Sequence, residues 1–274
     1  MDRIEKARDA IENADYVLIG GGAGLSAAAG IDYGGDRFRK LFSDYIEKYD
    51  IKDMYSATFY PFKTPEEKWG YLSRHVYENR YNVGKTEVYQ ELFDLVRDKD
   101  YFVITTNVDK QFHYGGFDSK RIFEVQGDYG KFQCSVGCHD RLYDNEAQII
   151  EMVESCRECR IPSSMVPKCL ICGEEMDLNI RKNSYFVEDE SWKIQSNNYR
   201  DFLNKINNEK TALLELGVGY NTPTIIRFPF EQITYGNENA TLIRFNRDYP
   251  EAIEENKNKT ISFSEDIKKL ICKI

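Results

Sequence analysis

The sequence predicts an α/β protein with a doubly wound parallel sheet that is interrupted by a small cysteine-rich module. Two observations lead to this fold class. Short apolar runs alternate with helical stretches, and most of these runs end in glycine or small polar residues, which is typical of buried parallel strands. Over residues 128–190 the apolar periodicity fades and cysteines cluster, which indicates an insertion. With 274 residues, 41% of them hydrophobic, the chain is long enough for one large packed domain and a small one.

Local patterns predict each element of the sheet and its helices. A helix is predicted over residues 2–13, where Ile4 and Ile11 share one face. Residues 36–98 have a mostly helical pattern, and a last helix is predicted over residues 264–272. Six apolar runs predict the strands, at residues 16–19, 101–104, 121–125, 212–216, 241–245 and 260–263. Because ligands of such sheets bind beyond the carboxyl ends of the strands, the polar turns after these runs form the candidate site.

Charge and composition argue against several classes of partner. The net charge of −9 gives a surface that repels phosphate backbones, so we expect no nucleic-acid partner. No apolar run approaches the roughly 18 residues that span a bilayer, and the charged start at residues 1–6 lacks the apolar core of a signal peptide. The seven cysteines then indicate metal or thiol chemistry in a reducing compartment, and we expect a cytoplasmic protein with no membrane contact.

The first candidate turn is rich in glycine and lies between a strand and a helix. Backbone N–H groups in such a turn point at an anion, and glycine lets the chain approach a phosphate closely. The spacing does not fit the dehydrogenase fingerprint, since counting from Gly20 and Gly22 the third position is Leu25, and from Gly22 and Gly24 it is Ala27. The turn therefore predicts phosphate or diphosphate binding without hydride transfer. Taken alone, it also fits a tight turn without a ligand.

The second candidate turn is Thr105-Thr106-Asn107-Val108-Asp109, at the end of the second strand. The amide of Asn107 suits a ribose hydroxyl or a water, and Asp109 can accept a hydrogen bond from a ribose or a carboxamide. The same residues also fit an ordinary Asx turn that caps the next helix.

Four cysteines in two pairs predict a structural metal site. Cys134 and Cys138 form one pair, and Cys169 and Cys172 form the second, a CxxC. Two such pairs are typical of a closed, tetrahedral zinc site with four thiolates. Alternatives stay open: the thiols are reduced without metal, Cys156 and Cys159 form a competing pair, or His139 replaces one ligand.

Together these signals resemble the sirtuin family of NAD-dependent protein deacylases and ADP-ribosyltransferases, over most of the chain. The matching stretches are Gly22-Ala23-Gly24-Leu25-Ser26 with Gly30-Ile31, Thr106-Asn107-Val108-Asp109, Gln126-Gly127, the cysteine pairs Cys134/Cys138 and Cys169/Cys172, Gly217-Val218-Gly219-Tyr220-Asn221, and Asn246-Arg247. The resemblance implies a Rossmann-like NAD-binding domain, NAD as substrate and structural zinc on the four paired cysteines. Residues 1–127 and 191–274 would form the NAD-binding domain, and residues 128–190 the zinc-binding module.

The resemblance also implies roles for individual residues. Ala23 and Gly24 would contact the diphosphate. Asn107 would position the ribose next to the nicotinamide together with a water, and Asp109 would hold the nicotinamide carboxamide. The other implied cofactor-binding residues are Gly22, Ser26, Asp32, Arg37, Thr106, Gln126, Gly217, Val218, Gly219, Asn221, Asn246 and Arg247. Among these, Asp32 and Arg37 fall where the chain departs from the family's Pro-Asp-Phe-Arg stretch, because residues 31–38 contain no proline and include an insertion.

The departure with the largest chemical consequence is Gln126, where the family has a histidine. That histidine acts as general base in deacylation, whereas a glutamine amide only forms hydrogen bonds near pH 7. Loss of a general base typically costs roughly 10²–10⁴-fold in rate. The nicotinamide bond can still break without it, since that step needs positioning and electrostatic support. We therefore take Asn107 and Gln126 as the candidate catalytic residues.

A glutamine at this place resembles the macrodomain-linked class M sirtuins of microbes, in which the histidine is replaced and the activity is protein mono-ADP-ribosylation. In that group the acceptor is a lipoyl-carrier protein related to the glycine cleavage system, and a macrodomain hydrolase reverses the reaction. The expected function is transfer of ADP-ribose from NAD to an acceptor protein, with release of nicotinamide. Deacylation, NAD hydrolysis and a non-catalytic NAD- or ADP-ribose-binding module remain the alternatives.

Overall fold

A computed structural model describes residues 2–274 of the protein. The strands are β1 (Tyr16–Gly21), β2 (Asp100–Thr105), β3 (Ile122–Glu124), β4 (Gly127–Cys134), β5 (Tyr143–Asp144), β6 (Met176–Ile180), β7 (Thr211–Leu216), β8 (Ala240–Phe245) and β9 (Thr260–Phe263). The α-helices are α1 (Arg3–Glu12), α2 (Ala23–Ala28), α3 (Gly35–Leu41), α4 (Ser43–Tyr49), α5 (Met54–Ala57), α6 (Pro65–Val76), α7 (Glu87–Val96), α8 (Gln111–Gly115), α9 (Glu146–Ser155), α10 (Glu190–Lys205), α11 (Arg227–Gly236) and α12 (Ile267–Ile271). No helix within residues 2–274 is both long enough and apolar enough to cross a membrane.

The chain divides into two units, of which the first contains residues 2–30, 85–126 and 190–274. Its sheet has six strands in the order β3-β2-β1-β7-β8-β9, and every neighbouring pair is parallel. All six predicted strands and the doubly wound fold class are confirmed. The chain builds outward from β1 in one direction and from β7 in the other. The switch point between β1 and β7 therefore leaves a crevice at the carboxyl ends of these strands.

The central strands are buried on both faces, and their successive side chains pack alternately into two apolar clusters. In β1, Val17 and Ile19 pack into one apolar cluster, whereas Leu18 packs into the cluster on the opposite face. The neighbouring strand β7 repeats the pattern, with Leu214 in the first cluster and Leu213 in the second. Since side chains point alternately to the two faces of a strand, a continuous apolar run supplies both cores. Each fully buried aliphatic side chain stabilises the sheet by roughly 1.5–3 kcal/mol.

The second unit contains residues 31–84 and 127–189, which corrects the predicted domain division. Residues 31–84 were expected with the sheet, but they pack on the inserted module instead. Helix α6 lies against it through Trp69, whose ring centroid is 5.1 Å from that of Phe132. Arg80 pairs with Asp128 at 3.0 Å. The module also forms an antiparallel sheet, β5-β4-β6, that the weak periodicity of its sequence did not predict.

Candidate functional site

Two glycine turns interlock at the switch point of the first unit. The Gly22 N–H donates to the Leu216 carbonyl (3.0 Å), and the Gly24 N–H donates to the Gly217 carbonyl (2.9 Å). A Cβ on Gly24 would lie 2.7 Å from the Gly217 Cα, so only glycine allows this approach. The turn after β1 therefore rests directly on the turn after β7, while Ala23 and Gly24 stay exposed at its outer side.

Behind the first turn, four buried polar side chains form a continuous hydrogen-bonded chain. The Asn107 Nδ2 donates to the Gly22 carbonyl (2.9 Å) and to the Tyr89 hydroxyl (3.2 Å). The Tyr89 hydroxyl lies 2.9 Å from the Ser26 Oγ, which donates to the Asp109 Oδ2 at 2.5 Å. Burial and the nearby charge of Asp109 raise the pKa of Tyr89 well above its ordinary value, so its hydroxyl keeps its proton.

Asp109 is 3% exposed, and both of its carboxylate oxygens bind within the protein. Oδ2 accepts from Ser26, and Oδ1 accepts from the Gln111 backbone N–H at 3.1 Å. The second contact is an Asx turn at the start of α8, as the simpler interpretation of this segment expected. Asp109 thus holds the Ser26 side chain and the first turn of α8 in place. Thr106 extends the turn, and its N–H donates to the Gly21 carbonyl at 3.1 Å.

Among the four residues of this hydrogen-bonded series, Tyr89 is the one that the sequence analysis did not predict. It lies on α7 among Val88, Leu92 and Val96, which are all buried, so its pattern is that of an ordinary core residue. Its hydroxyl meets Ser26 and Asn107, which are 63 and 18 residues away along the chain. Only the fold brings these groups together.

A second polar region lies behind the turns after β7 and β8. The Asn246 Nδ2 donates to the Val218 carbonyl (2.7 Å), and its Oδ1 accepts from the backbone N–H groups of Asp248 (3.1 Å) and Tyr249 (2.9 Å). Asn246 therefore joins the two turns that were predicted to line the adenosine end. Arg247 has a side chain that is 85% exposed and forms an ion pair with its neighbour Asp248.

Below this region four charged side chains form a buried cluster that the sequence analysis missed. Arg244 is 0% exposed and contacts Glu215 through Nε (2.8 Å) and Glu231 through Nη2 (2.8 Å). Arg227 approaches Glu215 at 3.4 Å. Burial acts to lower the pKa of Arg244, but the two carboxylates outweigh it and hold that pKa above its ordinary value.

The charged cluster also holds the loop that follows β8. Arg244 Nη1 donates to the Glu251 carbonyl (2.6 Å), and Arg227 Nη2 donates to the Tyr249 carbonyl (3.1 Å). The Arg227 guanidinium lies 4.6 Å from the centre of the Tyr220 ring. Asn221 and Gly219, predicted to bind the cofactor, are exposed on the facing turn.

Gln126 lies in the turn between β3 and β4 and is half-buried. The next residue, Gly127, has φ +96°, and a Cβ there would lie 2.0 Å from the Asn179 carbonyl oxygen. This explains the glycine of the Gln126-Gly127 pair by backbone geometry alone.

Asp32 and Arg37 belong to the second unit. The Asp32 Oδ1 accepts from the Gly34 N–H at 3.1 Å, as in an Asx turn. Arg37 donates to the Asn79 Oδ1 (2.8 Å) and to the Glu78 carbonyl (2.7 Å), and burial lowers its pKa. Both residues thus have structural partners within their own unit.

The four predicted cysteines converge in the second unit. The sulfurs of Cys134, Cys138, Cys169 and Cys172 all lie within 4.8 Å of one another, and could hold a metal ion. Cys134 and Cys172 are 3.6 Å apart, and Cys138 and Cys169 are 3.7 Å apart. A zinc ion with bonds of about 2.3 Å spaces tetrahedral sulfurs by roughly 3.8 Å, so the cluster fits structural zinc. Backbone N–H groups of Cys172 and Ile171 lower the pKa of Cys169 to about 6, which favours a thiolate.

The competing ligands lie outside this cluster. Among residues 2–274 the cluster contains neither Cys156 nor Cys159. Cys156 instead lies 3.5 Å from the Tyr45 hydroxyl, and burial raises the pKa of Cys159 to about 11. His139 is adjacent, with Nε2 3.4 Å from the Cys169 sulfur.

Comparison with known proteins agrees with this fold. The model of the Sir2 family matches residues 22–209, and the chain belongs to that family. A protein named protein ADP-ribosyltransferase from Staphylococcus aureus is 38% identical over 271 residues, which cover 97% of this chain and 85% of that protein. A second relative, from Fusarium oxysporum f. sp. cubense, is named "Probable bifunctional ADP-ribose hydrolase/ADP-ribosyltransferase". It is 32% identical over 83% of this chain and 39% of its own length.

More distant relatives share the fold. An NAD-dependent protein deacetylase from Clostridium perfringens is 29% identical over 63% of each chain. A solved complex of a Sir2 homologue with NAD superposes with a TM-score of 0.61 at 18% identity, covering 99% of this chain and 91% of that one. A Sir2 homologue bound to 2′-O-acetyl ADP-ribose gives a TM-score of 0.65 at 17% identity. At these identities the solved structures establish the fold alone.

Proposed function

We propose that the protein is an NAD-dependent protein mono-ADP-ribosyltransferase, which transfers ADP-ribose from NAD to an acceptor protein. Three observations support the proposal. The chain belongs to the Sir2 family, two relatives are named as ADP-ribosyltransferases, and Gln126 stands where a deacylase of this family has its histidine base. Of these observations, Gln126 is the one that favours ADP-ribosyl transfer over deacylation, because an amide cannot take up a proton near pH 7.

No other histidine is arranged as a substitute base. The chain has three histidines. His75 is fully buried, and burial lowers its pKa to about 3. The His113 Nδ1 lies 3.1 Å from the Ser119 Oγ and its Nε2 lies 3.3 Å from the Glu124 carboxylate, so both ring nitrogens face the protein and Nε2 is buried. His139 lies against the cysteine cluster. A reaction that requires an imidazole base is therefore disfavoured.

In the proposed reaction the bond between the ribose C1′ and the nicotinamide nitrogen breaks, and nicotinamide leaves with the bonding electrons. An acceptor side chain then forms a bond to C1′ and releases its proton. The interlocked turns at Gly22–Gly24 and Gly217–Gly219 would hold the diphosphate and the adenosine. Asn107 would orient the reacting ribose or a water. Such positioning suffices for bond cleavage without a general base.

The cofactor-binding residues that we propose lie in the first unit and are those that the family resemblance implies there: Gly22, Ala23, Gly24, Ser26, Thr106, Asn107, Gln126, Gly217, Val218, Gly219, Asn221, Asn246 and Arg247. Asp109, which the resemblance also implies, accepts from Ser26 and from the Gln111 N–H, so we assign it to organising this site. The resemblance further implies Asp32 and Arg37, which belong to the second unit and have partners there.

We further propose a lipoyl-carrier protein as acceptor and a macrodomain hydrolase as the enzyme that removes the modification. The name of the Fusarium relative, which joins an ADP-ribose hydrolase to a transferase, supports the second partner. The resemblance to class M sirtuins supports the first.

The test is incubation of the purified protein with NAD labelled in the adenosine half and with a lipoylated carrier protein. Label on the carrier, lost in Asn107→Ala, is the expected result. The same carrier without its lipoyl group is the matched acceptor control.

Other outcomes identify the alternatives. Deacylation of an acyl-lysine peptide, without labelled protein, would overturn the proposal in favour of a deacylase. Free ADP-ribose without labelled protein would indicate NAD hydrolysis. NAD binding without nicotinamide release would indicate a binding module.

A further inference from the structure

The direction of every hydrogen bond in the chain behind the first turn can be worked out from Asp109. An ionised carboxylate only accepts, so the Ser26 hydroxyl donates to Asp109 at 2.5 Å. Ser26 has a single proton, and the Tyr89 hydroxyl must therefore donate to the Ser26 Oγ across the 2.9 Å contact. Having used its own proton, the Tyr89 oxygen can only accept from Asn107.

This direction determines which atom of Asn107 faces inward. The Gly22 carbonyl is also purely an acceptor, and it lies 2.9 Å from the Asn107 amide. Both inner partners of Asn107 thus require donors, and both hydrogens on Nδ2 are used. The oxygen Oδ1 is the remaining polar atom, and no hydrogen bond from residues 2–274 reaches it.

We propose that Tyr89 is a positioning residue that locks the Asn107 side-chain amide, so that Oδ1 is the atom presented to the ligand. The inference rests on the proposed function. An amide oxygen accepts hydrogen bonds, so it selects a hydroxyl or a water and repels a phosphate or carbonyl oxygen. Asn107 then orients a hydroxyl-bearing group at the reacting ribose.

Burial makes this lock sensitive to the loss of one hydroxyl. Tyr89 is 0% exposed and Asn107 is 8% exposed, so water does not readily replace the missing acceptor. In Tyr89→Phe, one Nδ2 hydrogen loses its partner, and rotation of the amide becomes easier. The ring of Tyr89, which packs on Phe112 with ring centroids 4.9 Å apart, is retained in the variant.

The experiment compares nicotinamide release by the wild type, by Tyr89→Phe and by Tyr101→Phe. Tyr101 is a matched control, since it is a buried tyrosine of the same unit whose hydroxyl accepts from the Asp118 N–H at 3.0 Å. We expect Tyr89→Phe to lower kcat roughly tenfold, as for a lost buried hydrogen bond, with little change in KM for NAD. Tyr101→Phe should leave both constants unchanged.

A second readout does not depend on catalysis. The two side-chain amide protons of Asn107, assigned by NMR through their loss in Asn107→Asp, should both be protected from exchange in the wild type. Tyr89→Phe should shift one of them and accelerate its exchange, while Tyr101→Phe changes neither. If the amide protons respond as expected but the wild type releases no nicotinamide, the proposed function fails and the lock stands. If Tyr89→Phe leaves the amide protons and kcat at wild-type values, the lock is wrong.

Discussion

Two polar regions lie behind the turns at the carboxyl ends of the same sheet, and they are built in opposite ways. Behind the turn after β1, Asn107, Tyr89 and Ser26 form a neutral chain that ends at one charge, Asp109. Behind the turns after β7 and β8, two arginines and two glutamates form a buried ionic cluster. The first arrangement determines the orientation of one amide. The second holds a stretch of backbone, through the carbonyls of Tyr249 and Glu251. The comparison indicates that, in this protein, the neutral hydrogen-bonded chain sets the orientation of one side-chain amide, whereas the ionic cluster fixes the position of a loop.

Breaking the ionic cluster should give the largest effect on stability. Arg244→Met leaves Glu215 buried with only the more distant Arg227 as counter-charge, and we expect the unfolding free energy to fall by about 3–5 kcal/mol. Urea denaturation followed by circular dichroism measures this change. The control Arg247→Met, on an 85% exposed side chain, should change it by less than about 0.5 kcal/mol.

A compensating variant sharpens this prediction. Adding Glu215→Leu to Arg244→Met removes the stranded carboxylate and should recover part of the loss. An Arg244→Met protein as stable as the wild type would show that the cluster does not hold the loop.

Breaking the neutral chain should affect activity more than stability. Asn107→Ala removes the oriented amide, and nicotinamide release should fall on the order of 100-fold, as for removal of one preorganised catalytic group. The rate of nicotinamide release at saturating NAD measures this loss. An unchanged rate would remove Asn107 from the catalytic set.

A third buried polar group, His75 in the second unit, should make the stability of the protein depend on pH. Burial, with a smaller effect of the Arg37 charge, lowers its pKa from 6.5 to about 3. Its stabilising contribution is therefore complete above pH 6.5 and is lost as the pH falls, because only the unfolded chain binds the proton in this window. The slope should approach about 1.4 kcal/mol per pH unit.

The measurement is the urea midpoint of the wild type and of His75→Gln at pH 7.5 and 5. The variant lacks the imidazole ring, whose Nε2 is hydrogen-bonded to the Tyr129 hydroxyl at 2.8 Å, so it should be less stable at pH 7.5. The difference between the two proteins should narrow at pH 5. A difference that is equal at both values would contradict the lowered pKa.

The smallest effect on stability is expected at the exposed turn after β7. No atom lies within 4 Å of a Cβ added to Gly219, so Gly219→Ala should change the unfolding free energy by less than about 0.5 kcal/mol. If this turn contacts the cofactor, KM for NAD should rise while kcat is retained. Gly24→Ala is the contrasting variant. Its added Cβ would collide with Gly217, so this substitution should destabilise the fold.

The parts of this molecule that were predictable are those with short-range signals. The strands are apolar runs such as Val17-Leu18-Ile19, and the metal site shows as two closely spaced cysteine pairs. Each signal lies within a few residues, so the local pattern is sufficient.

The rest depends on contacts between distant segments. Ser26 meets Asp109 across 83 residues, and Arg244 meets Glu215 across 29. Nothing in α7 distinguishes Tyr89 from a core aromatic, and nothing in residues 31–84 indicates that they pack on the cysteine module. Long-range partners, unlike periodicity, have no signature in a single sequence.

The order of strands in the sheet has a consequence for synthesis on the ribosome. β1 lies at the centre, yet its neighbour β7 begins at Thr211, almost 200 residues later. At roughly 5–20 residues per second, that partner emerges on the order of ten to forty seconds after β1. During this interval one edge of an apolar strand has no partner, which is a state prone to aggregation. Delayed completion of the sheet therefore makes the nascent chain a candidate client of chaperones until β7 is translated.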